Sequence, residues 1–225
     1  MACIALGSAG ALIAQDEVRG GDREFLRWTR DRAESVGQSM RVKGRVGGIF
    51  GLRGLHTERS YNYELRATWL TPEVIRATAR LAQLSDGLTD DQTEALVREA
   101  VRSGDVILLV EIDPREGSGV IPLDWVALLQ PKGATGDAPG AVKGESVPQL
   151  RTVRALSGVF RRDYDYEQFW VVFPARGGAV SFLAPGVTEA ELVVRIFNKE
   201  GRVAWRIPES VRRLTALRPG AQERS

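Results

Sequence analysis

Residues 61–129 place two well-capped helices between segments of strand character, and this order constrains the fold more than any other feature. Tyr61 to Trp69 alternate apolar and polar side chains, which is typical of a strand with one buried face. Val106 to Ile112 are almost continuously apolar, as expected of a strand that is buried on both faces. Ile121 to Leu129 alternate again. The sequence therefore predicts a sheet into which a helical unit is inserted.

The helical unit, residues 71–103, is predicted to be an αα-hairpin because each helix has its own start signal. Thr71 to Glu73 supply an N-cap, a proline at the first helical position and an acid in the first turn. Thr89 to Gln92 have the spacing of a capping box. Ser85 to Gly87 are expected to end the first helix, and Gly104 is placed to end the second.

Further short segments of strand character follow, with turn signals between them, and a hairpin turn over Asn198 to Gly201 joins the last two. Several short strands separated by turns favour an antiparallel β-sandwich, immunoglobulin-like in architecture, or a partly open barrel. The predicted fold class is therefore α+β, with a sandwich-like domain over residues 58–210 that carries the inserted αα-hairpin. The predicted later strands are Leu150–Leu156, Glu167–Phe173, Val180–Leu183, Glu191–Asn198 and Arg202–Ile207.

Three other regions have weaker patterns. Residues 15–57 are expected to hold an N-terminal helix, over 22–36 with Asp22 as its cap, and then a glycine-rich basic segment of irregular strand or loop. Residues 131–148 are rich in Gly, Pro and Ala without periodicity, which predicts an exposed, mobile loop. Residues 211–225 are expected to be a frayed tail.

The first residues have the character of a secretory signal. Ala2 to Ala14 are small or apolar apart from Ser8, and polar residues follow at once. The run is too short for a transmembrane helix, which needs about 20 residues, but residues 1–14 match a signal peptide cut after Ala14. No Lys or Arg precedes the run, so a buried N-terminal segment and an internal start remain alternatives. We expect a periplasmic or secreted bacterial protein without a transmembrane span.

The chain has one cysteine, Cys3, and one histidine, His56. These counts exclude an internal disulfide, a zinc site with several Cys or His ligands, a bis-histidine haem and a Cys-ligated iron–sulfur cluster. None of the serines Ser60, Ser118 and Ser181 lies in a G-x-S-x-G motif that would pair with His56. We therefore expect no cofactor and assign no catalytic, cofactor-binding or metal residue.

Two acidic groups are the remaining candidates for chemistry. Asp113, Glu116 and Asp124 flank a turn and could supply the carboxylate pair that glycoside hydrolysis needs. Residues 163–167, Asp-Tyr-Asp-Tyr-Glu, would in an extended chain place three carboxylates on one side, where they could bind calcium. The same segment could equally form a solvated acidic face whose tyrosines pack inward.

The five tryptophans could line a sugar-binding platform. Trp69, Trp125 and Trp205 are in phase with apolar neighbours on their predicted strands, so core packing is the favoured interpretation for these three. The other two are Trp28 and Trp170.

Charge is segregated along the chain. Residues 41–59 hold five basic residues and one acid, residues 86–124 hold ten acids and three basic residues, and residues 195–224 hold eight basic residues and three acids. Oppositely charged regions can pair within a fold or between molecules. We therefore hypothesise a non-catalytic binding or assembly module of the bacterial envelope, whose partner is an envelope protein or a second copy and not a nucleic acid. The alternative is a secreted hydrolase that uses edge carboxylates, with or without calcium.

Overall fold

A computed structural model describes residues 23–48, 63–104, 106–114, 121–134, 141–159, 167–174 and 182–216. The predicted signal segment 1–14, His56 with the three serines, Glu116 and residues 163–166 lie outside these ranges. Within the described residues the chain is α+β and forms one antiparallel sheet of nine strands together with four α-helices. The predicted fold class is thereby confirmed.

The sheet is nearly closed into a barrel. Its strands are β1 (Arg41–Gly48), β2 (Tyr63–Trp69), β3 (Val106–Asp113), β4 (Val126–Pro131), β5 (Val142–Lys143), β6 (Glu145–Ser146), β7 (Glu167–Phe173), β8 (Glu189–Ile196) and β9 (Lys199–Arg206). Their order in the sheet is β5-β4-β8-β9-β1-β2-β3-β7-β6. Because β5 and β6 are separated by a single residue in the chain, the two ends of this order meet and the sheet curls round on itself.

The segment that joins the two edges runs from Val142 to Ser146, within the region that the sequence predicts to be a mobile loop. β5 pairs with β4, β6 pairs with β7, and the Gly144 N–H between them donates to the Ala127 carbonyl at 2.9 Å. A Cβ atom at Gly144 would lie 2.4 Å from Cγ1 of Val171, so only glycine fits this close approach. Two-residue strands are too short to show alternation, which explains why the sequence pattern predicts a loop.

The helices begin where their capping residues predict. Thr71 Oγ1 accepts from the Val74 N–H at 3.4 Å, and Thr89 and Gln92 form both bonds of the capping box. The first helix instead begins after Thr29, which caps it in place of the predicted Asp22. The α-helices are α1 (Arg30–Gln38), α2 (Pro72–Asp86), α3 (Asp90–Arg102) and α4 (Glu209–Ala216), and 3₁₀ turns cover Glu24–Arg27, Pro148–Thr152 and Arg154–Leu156.

Two apolar clusters lie on the two faces of the sheet. The barrel interior is filled by inward side chains such as Tyr63, Trp69 and Phe173, each of them almost fully buried. Outside the barrel, α2 and the 3₁₀ turns pack against outward side chains of β3 and β7. β3 contributes to both clusters, through Leu108 on the inside and Leu109 on the outside. This confirms the prediction that Val106 to Ile112 is buried on both faces.

Four local predictions are corrected. Leu150–Leu156 forms 3₁₀ turns rather than a strand, and residues 182–183 of the predicted strand Val180–Leu183 are not in a strand. The strand predicted from Ile121 begins only at Val126. The last hairpin turns at Phe197 and Asn198, earlier than predicted. For Leu150–Leu156 and for Phe182, apolar spacing alone does not distinguish a strand from a turn whose side chains are buried. The turns at Leu123 and Phe197 instead expose their apolar side chains, so apolar character there does not indicate a strand.

The glycine-rich segment contains a regular strand, β1, where the sequence predicts irregular structure. Its glycines are tolerated because the neighbouring strand comes close: a Cβ at Gly44 would lie 2.6 Å from Cγ1 of Val203. β1 pairs with β2 on one side and with β9 on the other, so it lies in the middle of the sheet. Because β1 lies in the middle of the sheet, its backbone closely approaches the neighbouring strands. The strand propensity of single residues does not predict such an approach.

Candidate interaction surface

The outside of the barrel has a covered part and an open part. On β3 and β7, the outward side chains of Ile107, Leu109 and Trp170 are buried beneath the helical layer. On β1, the outward side chains of Lys43 and Arg45 are exposed to solvent. The described helices therefore cover one side of the sheet, and no described residue covers the side chains of Lys43 and Arg45.

Three of the four outward positions of β1 are basic, and the fourth is Gly47. Because side chains alternate along a strand, Arg41, Lys43 and Arg45 face outward while Val46 lies in the barrel interior. Residues two apart on a strand are separated by about 6.7 Å, so these three cations form a regular row.

Strand β9 extends this row sideways. Val46 pairs with Gly201, and continuing that register places Arg202 beside Arg45 and Arg206 beside Arg41. Both arginines are exposed, whereas Val203 and Trp205 between them face the barrel interior. We call Arg41, Lys43, Arg45, Arg202 and Arg206 the basic face.

Two members of the basic face are neutralised within the fold. Arg41 Nη2 donates to Oε2 of Glu111 at 3.0 Å, and the Glu111 side chain is only 6% exposed. Arg202 donates to Glu200 at 2.7 Å and to Glu191 at 2.9 Å. These pairs hold the two guanidinium groups in place and offset most of their charge.

The other three members, Lys43, Arg45 and Arg206, form no ion pair with any residue in the described ranges. Glu189 lies opposite Arg206 in the register of β8 and β9, but its carboxylate pairs with Lys132 at 3.0 Å. Glu64 lies opposite Arg45 in the register of β1 and β2. Even with Glu64 counted, the basic face keeps an excess of positive charge.

A buried polar cluster borders the basic face on β4, β8 and β9. The Gln130 side chain is fully buried and donates to the Ala134 carbonyl at 2.9 Å and to Glu191 at 3.3 Å. Burial raises the pKa of the Glu200 carboxyl, but hydrogen bonds from Arg195 and Arg202 outweigh that effect and hold its pKa below the ordinary value. Glu200 therefore stays ionised and holds the Arg202 guanidinium at one edge of the basic face.

Of the three candidate hydrolase carboxylates, the structure describes Asp113 and Asp124, and it does not place them on neighbouring strands. Asp113 ends β3 and is half-buried, whereas Asp124 is exposed in the turn before β4, and these two strands are not neighbours in the sheet. A cavity of about 390 Å³ lies at the other end of the barrel, between the ends of α1, α2 and α4, and neither aspartate lines it. Its acidic side chains are Glu73, which accepts from Ser210 at 2.9 Å, and Glu209.

The calcium hypothesis concerns residues of which only Glu167 is described, as an exposed residue at the start of β7. Within the described ranges, no three His, Cys, Asp or Glu side chains are grouped so that they could hold a metal ion.

The tryptophans do not share a surface. Trp69 and Trp205 meet edge to face in the barrel interior, with their ring centroids 6.0 Å apart. Trp170 lies beneath the helical layer and donates Nε1–H to the Leu156 carbonyl at 2.8 Å. Trp125 packs against Phe169, and Trp28 against Phe25. Core packing of Trp69 and Trp205 is thereby confirmed.

Sequence reasoning counted the basic residues of this region but did not place them on one surface. The signal that could have found part of it is the alternation of Arg41, Lys43 and Arg45 with Val42, Gly44 and Val46. The contribution of β9 depends on a strand pairing between residues more than 150 positions apart, which no local pattern reveals.

Comparisons with protein-family models, with curated protein sequences and with solved structures found no match. Of the helices in the described part of the chain, none has the length and apolar character needed to cross a membrane.

Proposed function

We propose that this protein is a non-catalytic binding or assembly module of the bacterial envelope, and that the basic face is its contact surface. The observation that carries the proposal is the contrast within that face. Lys43, Arg45 and Arg206 are exposed and lack an ion pair among the described residues, whereas Arg41 and Arg202 beside them are neutralised and held in place. A charged surface that no described residue covers is suited to binding a partner of opposite charge.

The partner chemistry that fits is an acidic protein surface. Arginine binds carboxylates through paired hydrogen bonds, and the row of cations is presented by the rigid backbone of a sheet. An acidic envelope protein would supply such carboxylates. A second copy of the chain would also supply them, because Asp90, Asp91 and Glu99 are exposed on α3.

The test reverses the three cations together, in a variant with Lys43→Glu, Arg45→Glu and Arg206→Glu. Its matched control has Arg27→Glu, Arg30→Glu and Arg151→Glu, which change the net charge equally at exposed positions of the helical layer. Sedimentation velocity at low salt and at ~1 M salt, where the Debye length is about 3 Å, measures self-association. Cross-linking in envelope extract measures binding to other proteins.

We expect an association that weakens with salt, is lost in the basic-face variant and persists in the control. The proposal is wrong if the unaltered protein sediments as a monomer at low salt and the basic-face variant cross-links to the same proteins as the unaltered chain. It is also wrong if the control loses binding as fully as the basic-face variant.

Export to the periplasm or the medium is part of the proposal and rests on the apolar run from Ala2 to Ala14. N-terminal sequencing of the protein from fractionated cells tests it. We expect a mature chain that begins at Gln15 and is found outside the cytoplasm. An intact N-terminus in the cytoplasmic fraction would remove export from the proposal and leave the basic face to be judged by its own experiment.

A further inference from the structure

The turn between β8 and β9 has an unusual residue at its tip. Phe197 has φ of 53°, a left-handed conformation that bulky side chains rarely adopt, and its side chain is 70% exposed. Hairpin turns with positive φ normally use Gly, Asn or Asp, which avoid this strain. The chain therefore presents an aromatic ring to solvent where both the backbone and the hydrophobic effect disfavour it.

A second apolar side chain lies at the same end of the barrel. Leu123 is fully exposed in the turn before β4, which the Trp125 N–H closes on the Pro122 carbonyl at 3.4 Å. β4 pairs with β8 through Val126 and Arg195, and continuing this register brings the turn at Leu123 beside the turn at Phe197. Two neighbouring turns thus each expose one large apolar side chain, and we call Phe197 and Leu123 the apolar tip.

We propose that the apolar tip inserts into the headgroup region of a lipid bilayer and anchors the protein at a membrane surface. This inference does not depend on the basic face. Large apolar side chains at projecting turns lower their free energy by leaving water for the boundary between headgroups and acyl chains.

A lipid surface fits the apolar tip better than a protein pocket does. Stable protein interfaces bury about 800 Å² on each partner, far more than one phenylalanine and one leucine can supply. Both side chains project from turns with little or no cover from described residues, and a deformable lipid layer can accommodate projecting apolar side chains.

The charges around the apolar tip indicate which lipid headgroup it prefers. Asp124 is exposed beside Leu123, and Glu167 is exposed at the same end of the barrel. Two cations lie nearby: Lys199 sits 5.6 Å above the ring of Tyr63, and Arg195 pairs with Glu200 at 2.9 Å. Among the described residues at this end of the barrel, the cations have partners and the exposed charges are acidic, so we expect binding without anionic lipid.

The apolar tip and the basic face would function together without overlap. The apolar tip lies at one end of the barrel, whereas the basic face lies on its side along β1 and β9. With the apolar tip in the membrane, these strands would stand away from the lipid surface and leave the basic face open to a partner.

Flotation with phosphatidylcholine vesicles, alone and mixed with an equal amount of phosphatidylglycerol, tests the inference. The test variants are Phe197→Asn and Leu123→Ser, singly and together. The matched controls are Leu84→Ser and Val101→Ser, which remove partly exposed apolar side chains from α2 and α3. All proteins are purified from the producing cells, so that they share one N-terminus.

We expect the unaltered protein to float with both kinds of vesicle and to do so equally in ~1 M salt, where surface charge is screened. Each apolar-tip substitution should lower the partition coefficient about tenfold, and the double variant should not float. The controls should stay within about twofold of the unaltered protein. Phe197→Asn should unfold at an equal or higher temperature, since asparagine tolerates the left-handed conformation.

The inference is overturned if the unaltered protein floats with neither vesicle, or if the double variant floats as well as the unaltered chain. It is also overturned if the controls lose as much binding as the apolar-tip variants. The basic-face variant separates the two proposals, because we expect it to float normally even if it loses its protein partner. Flotation that depends on phosphatidylglycerol, falls with salt and is lost in the basic-face variant would assign membrane binding to the basic face instead.

Discussion

The outward side chains of the barrel strands are buried on one side of the barrel and exposed on the other. On β3 and β7, the outward side chains Leu109 and Trp170 are buried under helices and contribute to a second core. On β1, the outward side chains of Lys43 and Arg45 are exposed, and neither forms an ion pair with a described residue. Among the described residues, the helical layer therefore packs against one side of the barrel, and the contrast supports the proposal that the other side binds a partner.

The largest expected effect tests the covered side. Trp170→Ala removes a side chain that is 3% exposed and donates to the Leu156 carbonyl. We expect unfolding in urea to show a loss of about 3–5 kcal/mol, because the change leaves a cavity and an unsatisfied carbonyl. A loss below about 1 kcal/mol would mean that the helical layer packs only loosely against β7.

An intermediate effect is expected at the edge of the basic face, where Glu200 lies on β9. Its pKa is held low in the folded state, so its stabilising effect is present above the unfolded pKa of about 4.3 and is lost as pH falls through the folded value. Glu200→Gln should therefore cost about 1 kcal/mol at neutral pH. Below the folded pKa the variant and the unaltered protein should converge.

The measurement for this prediction is the free energy of unfolding as a function of pH, compared between Glu200→Gln and Glu189→Gln. Glu189 is a suitable control because its ion pair with Lys132 is much more exposed. If the loss of unfolding free energy in Glu200→Gln does not change with pH, the lost contact is steric rather than ionic.

The smallest effect on stability is expected on the open side. Lys43→Ala combined with Arg45→Ala should change the free energy of unfolding by less than about 0.5 kcal/mol, because both side chains are exposed and lack an ion pair among the described residues. Urea unfolding alongside Trp170→Ala makes the comparison direct. A loss as large as that of Trp170→Ala would show that β1 depends on these side chains, and the contrast between the two sides would fail.

Local elements were predicted well where a few neighbouring residues decide the structure. Thr71 and Thr89 mark helix starts because each cap is completed within three residues. The alternation from Tyr63 to Trp69 predicts a strand because one face of β2 is buried in the barrel. The segment Leu150–Leu156 was predicted wrongly, since its buried side chains are compatible with either a strand or a 3₁₀ turn.

The candidate surfaces were harder to predict because they combine residues from distant parts of the chain. The basic face needs the pairing of β1 with β9, and the apolar tip needs the pairing of β4 with β8. The sequence pattern indicated carboxylates as candidates for chemistry, but Asp113 and Asp124 lie on strands that are not neighbours. Spacing along the chain does not predict proximity in a sheet whose strand order differs from the chain order.

The amino-acid sequence by itself determined the α+β class, the inserted αα-hairpin and a central strand buried on both faces, because hydrophobic periodicity and helix caps act over a few residues. Only the tertiary structure decided that the sheet nearly closes into a barrel. That closure depends on the five residues from Val142 to Ser146, which form β5 and β6 only when the edges of β4 and β7 are both present to pair with them. The free energy of such short strands comes from their partners, so it cannot be seen in the segment alone.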